Sequence, residues 1–110
     1  MDGIHEGHRA RMKKKLLENG ERSLADHELL EVLLYYAIPR RDTNELAHRL
    51  LKQFGSLRGV LSAPVQELAC VRGVGQQAAL LLGMVQMLCR RAAQREKEQI
   101  LNSVDACGAY

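Results

Sequence analysis

The chain has 110 residues, 46% of them hydrophobic, and a formal net charge of +3, which is enough for one small domain around a single modest core. Tryptophan is absent and phenylalanine occurs once among many leucines and alanines, which excludes a disordered chain and points to an aliphatic, helical interior. The mild basic excess, with a pI near 8.9, suits weak, salt-sensitive contact with a polyanion, although many proteins without such a partner are as basic.

The N-terminus carries the densest positive charge. From His8 to Lys15, five of eight residues are Arg or Lys, and Leu16 and Leu17 follow before Asn19-Gly20 closes the segment as a helix C-cap would. This stretch reads either as a basic arm that touches phosphate or as a solvated helix face. His5 and His8 stand three apart without a third ligand nearby, so no metal site is expected there.

Asp26 to Ala37 is the strongest helical pattern of the first half. Its apolar residues cover more than one face, which predicts a central helix, with Leu24 stapling onto Leu29 or Leu30. Ile38-Pro39 stops it. A strand over Val32 to Ile38 competes, but the leucine-rich run is too long for one. Asp42 to Asn44 supply N-cap candidates for a helix over about Glu45 to Gln53, with Leu46, Ala47, Leu50 and Leu51 on one stripe. In Asp26-His27-Glu28, capping and dipole complementarity outweigh acid–base chemistry. No other grouping sets a nucleophile beside a base, so neither catalysis nor a cofactor is expected.

The second half contains a weak repeat. A shift of 18 residues lays Leu50, Gly55 and Val60 over Leu68, Gly73 and Ala78, so that helix, glycine turn and helix appear twice. Gly55-Ser56 reads as a C-cap glycine followed by a serine N-cap. A short helix to about Ser62, a Pro64 start and a helix over Val65 to Ala69 lead into Val71-Arg72-Gly73-Val74-Gly75-Gln76-Gln77. Two glycines around one aliphatic residue predict a tight hairpin that lets a foreign group approach the backbone. The amides of Val74, Gly75 and Gln76 would then face outward at a helix N-terminus, which favours an anion such as a nucleic-acid phosphate; a tight helix connection without any ligand is the alternative. A last long helix starts at Gln76 with Ala78, Leu81, Leu82, Val85 and Leu88 at helical spacing. Gly83 within it predicts close approach of another helix.

Cys70, Cys89 and Cys107 are odd in number and far apart, which favours reduced thiols in a cytoplasmic protein, with Cys70 as a small apolar filler. No stretch has the length and apolarity of a membrane span, and no membrane partner is expected.

These residues carry a resemblance. Leu50 to Leu57, followed by Glu67 to Gly75, looks like a tandem helix-hairpin-helix domain, and Asp26 to Glu31 with Tyr36 to Asn44 resembles the N-terminal region of the RadC family. The resemblance spans about residues 6–91. It implies an all-α domain of five or six short helices: a basic helix or arm over 1–22, a helical domain over 23–92 with the tandem motif at about 44–90, and a linker over 93–110. In the family that linker leads to a JAB-type metallopeptidase-like domain, whose His-x-His pair this sequence lacks, so no enzyme activity is expected of this chain. It further implies DNA repair and contact with the phosphate backbone. Gly73, Val74, Gly75 and Gln76 would bind phosphate through backbone amides, with Arg72 as a side-chain contact and Gly55, Ser56, Arg58 and Lys52 as the counterpart in the first turn. Gly55 also reads as a plain helix cap. DNA-binding motifs of this kind often carry a lysine where Gln76 and Gln77 stand, so affinity should be modest. The second expectation is a protein-interaction or dimerisation domain, with the all-round apolar helix at Leu29 to Ala37 buried against a partner.

Overall fold

The computed structural model describes the backbone of residues 2–39 and 42–109 and the side chains of 7–39 and 42–100. The fold is all-α. Helices α1 (Asp2–Asn19), α2 (Asp26–Leu34), α3 (Thr43–Phe54), α4 (Leu57–Ser62), α5 (Val65–Ala69) and α6 (Gly75–Ala109) follow one another, with a single 3₁₀ turn at Glu21–Ser23. No strand occurs among the described residues.

Leucines from four different helices, Leu34, Leu50, Leu68 and Leu82, are fully buried in the main core with Leu30, Val60 and Ala78. Burying such a side chain stabilises the fold by about 1.5–3 kcal/mol. A second cluster of Met12, Leu24, Val32 and Tyr35, with Leu16 and Leu29 against it, docks α1 onto the other side of α2. Helix α2 is therefore covered on two faces by its own chain. Its all-round apolar pattern is accounted for without a partner, and only Tyr36, just past its end, is a largely exposed bulky group of that segment.

Helix α2 ends at Leu34, three residues before the expected Ala37. The amides of Tyr35, Tyr36 and Ala37 turn to carbonyls three residues back (Val32, Leu33 and Leu34), a 3₁₀-like tightening ahead of the proline. At its start, Leu24 is buried beside Leu29 as the staple reading predicts. The Ala25 amide donates to Glu28 Oε1 at 2.9 Å. That bond, first among its causes, holds the Glu28 carboxyl below the usual carboxylate range. Asp42 is the N-cap of α3, its carboxylate accepting from the Asn44 amide at 2.9 Å.

The α1 interface is polar as well as apolar. Glu31 is 2% exposed, and its two carboxylate oxygens accept from His8 Nε2 at 3.2 Å and Asn44 Nδ2 at 3.3 Å. Arg9 donates to the carbonyls of Tyr35 and Ile38, and its guanidinium lies 4.5 Å from the centre of the Tyr35 ring. Part of the basic segment is thus spent on packing, since Arg9 satisfies carbonyls left open at the end of α2. His5 lies outside the residues with described side chains; His8 serves Glu31, and no cluster of three or more metal-ligating side chains occurs among the described residues.

The 18-residue repeat is visible in three dimensions. Leu50 and Val60 in the first unit and Leu68 and Ala78 in the second are all fully buried, and the glycine between each pair has positive φ: +88° at Gly55 and +94° at Gly73. Pro64 caps α5 rather than opening it, one residue from expectation. Gly83 does meet another helix, because a Cβ there would overlap Val65 Cγ2 of α5.

Helix α6 is the long last helix of the sequence reading, starting one residue earlier at Gly75 and running through the stretch expected to be a linker. At about 1.5 Å per residue, its 35 residues account for most of the 63 Å long dimension of the molecule. Ala78, Ala79 and Leu82 are buried, but Leu88 is 63% exposed and residues 87–100 all face solvent. The helical spacing there continues beyond the edge of the core. Residues 93–109 continue the same helix, and none of the helices searched among the described residues is long and apolar enough to cross a membrane.

Candidate phosphate-binding turn and cleft

The turn between α5 and α6 is built from two unusual backbone positions. Gly73 and Gly75 have φ of +94° and +70°, a region that disfavours any residue with a Cβ. Between them Val74 is 4% exposed and packs into the main core, so one buried side chain anchors a turn whose flanking backbone is bare. At Gly75 a Cβ would meet nothing within 4 Å, leaving its outer side open to approach.

The expectation for Val74 needs correction. Its N–H does not face outward but donates to the Val71 carbonyl at 3.1 Å, closing the turn. The outward donors move one residue on. Gly75, Gln76 and Gln77 form the first turn of α6, where amides have no carbonyl of their own helix to bond, and the positive end of the helix dipole lies at the same place.

Arg49 positions this turn, and sequence reasoning missed it. Its Nη1 donates to the Arg72 carbonyl at 2.6 Å while Nη2 donates to Glu45 Oε1 at 3.1 Å. Glu45 to Arg49 is a visible i, i+4 pair; nothing in the sequence signals the bond to a carbonyl 23 residues away. Arg72 itself is exposed, its side chain uncommitted to the core.

Gly73, Val74, Gly75, Gln76 and Gln77 line one side of a cleft of about 570 Å³, and Ala37, Ile38 and Pro39 line the other. Among the described residues no charged side chain lines it. Next to Gly73 a smaller depression is lined by Asp42, Glu45, Leu46 and Arg49. The larger cleft exposes the backbone at the start of α6.

The other expected residues lie elsewhere. Gly55 is the left-handed C-cap of α3, its amide bonded to the Leu51 carbonyl. The Ser56 hydroxyl accepts from the Gly59 amide at 3.0 Å as the N-cap of α4. Gly59 is required because a Cβ there would collide with the Phe54 carbonyl. Lys52 and Arg58 are exposed on either side of that turn. None of these four lines the cleft, and the first turn has only one positive-φ glycine where the second has two. Cys70 is exposed at the end of α5 and does not fill the core; Cys89 is exposed too, and the Cys107 side chain lies outside the described residues.

Two glycine-turned helix pairs and a backbone-lined cleft characterise this chain, which is all-helical over the described residues. The UPF0758 N-terminal family model matches residues 5–80. A UPF0758 protein of Ruegeria pomeroyi is 39% identical over 105 residues, which cover 94% of this chain and 47% of that protein. The chain belongs to the UPF0758 family, the RadC family of the sequence resemblance. It spans about half the length of this curated relative. No solved structure matches it significantly.

Proposed function

We propose that this chain is a non-catalytic module that grips the DNA phosphate backbone without reading sequence, through a tandem helix-hairpin-helix, in a repair-associated cytoplasmic protein. The observation that carries the reading is Gly75: it opens α6 at φ +70° with open space where a side chain would stand. The amides of Gly75, Gln76 and Gln77 supply donors for one phosphate, with Arg72 as its side-chain contact and Gly73 and Val74 shaping the approach. Gly55, Ser56, Lys52 and Arg58 supply a weaker second contact. Backbone amides carry no base code, so binding is insensitive to sequence.

The test is titration of labelled duplex DNA at several salt concentrations. With roughly two to four phosphates neutralised, log affinity falls with log salt at a slope of about −2 to −4. Absence of binding at low salt sinks the reading.

One observation favours a second reading, a dimerisation or protein-interaction domain. Leu80, Met84, Met87 and Leu88 are 46–63% exposed on one stretch of α6, an apolar surface of the kind that marks contact sites. Sedimentation equilibrium of wild type and Met84→Glu decides it: a concentration-dependent dimer lost in the variant supports it, and a monomer throughout removes self-association.

A further inference from the structure

Tyr36 is 70% exposed, while the other aromatic side chains described, Tyr35 and Phe54, are buried and half-buried. A bulky ring left in solvent directly before Ala37, the first residue of the cleft wall, requires an explanation. It does not arise from a loose segment. Arg9 Nη2 holds the Ile38 carbonyl at 2.7 Å, the neighbouring Tyr35 is buried, and Ile38 belongs to the main core. Lys13 of α1 places its ammonium 4.9 Å from the centre of the Tyr36 ring. Tyr36 directly precedes Ala37 of one cleft wall and Arg72 directly precedes Gly73 of the facing wall, with Ala37, Ile38, Pro39, Val74, Gln76 and Gln77 among the described lining.

We infer that this surface takes an unpaired nucleotide segment, and that the chain prefers single-stranded or frayed DNA to intact duplex. The inference rests on the phosphate-binding reading above and adds the substrate class. Proteins that hold single strands combine positive charge along the backbone path with exposed rings on which bases stack; both occur here around one cleft. Lys13 and Arg72 complement phosphates at the two rims. The described lining offers apolar contact to a base or sugar, and the carboxamides of Gln76 and Gln77 pair with base edges. In an intact duplex a phosphate still reaches the α6 amides, but each base is stacked and paired, so the ring has no base to stack on.

The experiment measures anisotropy of a labelled single-stranded 20-mer and the matching duplex with the full chain, for wild type, Tyr36→Ala, Tyr36→Phe and Lys13→Gln. A single strand carrying 2-aminopurine supplies a second readout, since stacking on a ring quenches its emission. Circular dichroism melts check that each variant is folded. Wild type binds the single strand about tenfold more tightly than duplex and quenches 2-aminopurine. Tyr36→Ala loses about five- to tenfold on the single strand and the quenching, with duplex affinity unchanged. Tyr36→Phe keeps both, and Lys13→Gln weakens the single strand with a shallower salt slope. Equal affinity for the two DNAs, with Tyr36→Ala indistinguishable from wild type, overturns the inference while leaving the phosphate reading intact. Failure to bind either DNA overturns both.

Discussion

The guanidinium of Arg49 in α3 donates to the backbone carbonyl of Arg72 at 2.6 Å, so a helix of the first repeat unit holds the turn of the second. The same side chain reaches Glu45, and Gly73 lies close enough that a Cβ would stand 3.5 Å from Arg49 Nη1. Removing it frees the turn without opening the core. Arg49→Ala is expected to cost about 1 kcal/mol, the low end for a charged hydrogen bond because the group is partly exposed. It should also speed hydrogen exchange of the Val71 to Gly75 amides more than those of α2. Lysine offers one point charge where both contacts need a fork, so Arg49→Lys should rescue little. Unchanged exchange in the turn would show that Arg49 does not hold it.

Gly73→Val and Gly75→Val separate backbone conformation from binding. At φ of +94° and +70°, a residue with a Cβ costs about 1–2 kcal/mol, a fall in Tm of roughly 4–8 °C per kcal/mol. A Cβ at Gly75 meets nothing within 4 Å, and one at Gly73 stands in ordinary contact, 3.5 Å from Arg49 Nη1 and Leu46 Cδ1, so Gly75→Val should fold and Gly73→Val is the tighter fit. DNA binding should nevertheless disappear, because the branched side chain occupies the approach to the α6 amides. Folded variants that bind like wild type, judged by melts and titration together, would falsify the phosphate reading.

Gly83 sets a helix propensity against a contact. In an open helix, Gly→Ala gains about 1 kcal/mol, but here the added Cβ would overlap Val65 Cγ2. Overpacking of this kind costs about 1–3 kcal/mol, so Gly83→Ala should lower stability or at best leave it unchanged. The double variant Gly83→Ala with Val65→Ala should recover part of the loss. If the single variant is stabilised by the full propensity gain in a denaturant titration, α5 and α6 do not pack as closely as described.

Tyr35 predicts the alkaline limit of stability. Its hydroxyl is buried beside the Glu31 carboxylate. Burial first, then the neighbouring Glu31 carboxylate, push its ionisation well above the usual tyrosine value. The unfolded chain then releases this proton at lower pH than the folded one. The contribution is fully present below about pH 10 and is lost as pH rises above that value. Tyr35→Phe removes a buried hydroxyl lying beside Glu31 and should change stability little at pH 7. It should also flatten the decline of Tm above pH 10. A decline as steep in Tyr35→Phe as in wild type would assign the alkaline loss to other groups.

Local chemistry determined much of this protein without its tertiary structure. Asp42 and Ser56 cap helices because their side chains reach amides two and three residues away, and Gly55 and Gly73 take positive φ because glycine alone does so freely. The 18-residue register showed helix, glycine turn and helix twice, and Leu50, Val60, Leu68 and Ala78 are all buried, since helical period and turn chemistry act over a few residues. Tertiary structure decided what depends on distant segments meeting. Apolar spacing reports that a face exists, not what covers it, so α2 proved to be covered by α1 and the main core, whereas Leu88 lies on a helix that outruns both. Arg9 and Arg49 look like surface charges in sequence, yet each reaches a backbone carbonyl more than 20 residues away. The Val74 amide was misread because closing the turn onto Val71 satisfies that donor first. The cleft joins Ala37–Pro39 to Gly73–Gln77, two segments brought together only when the core between them is packed.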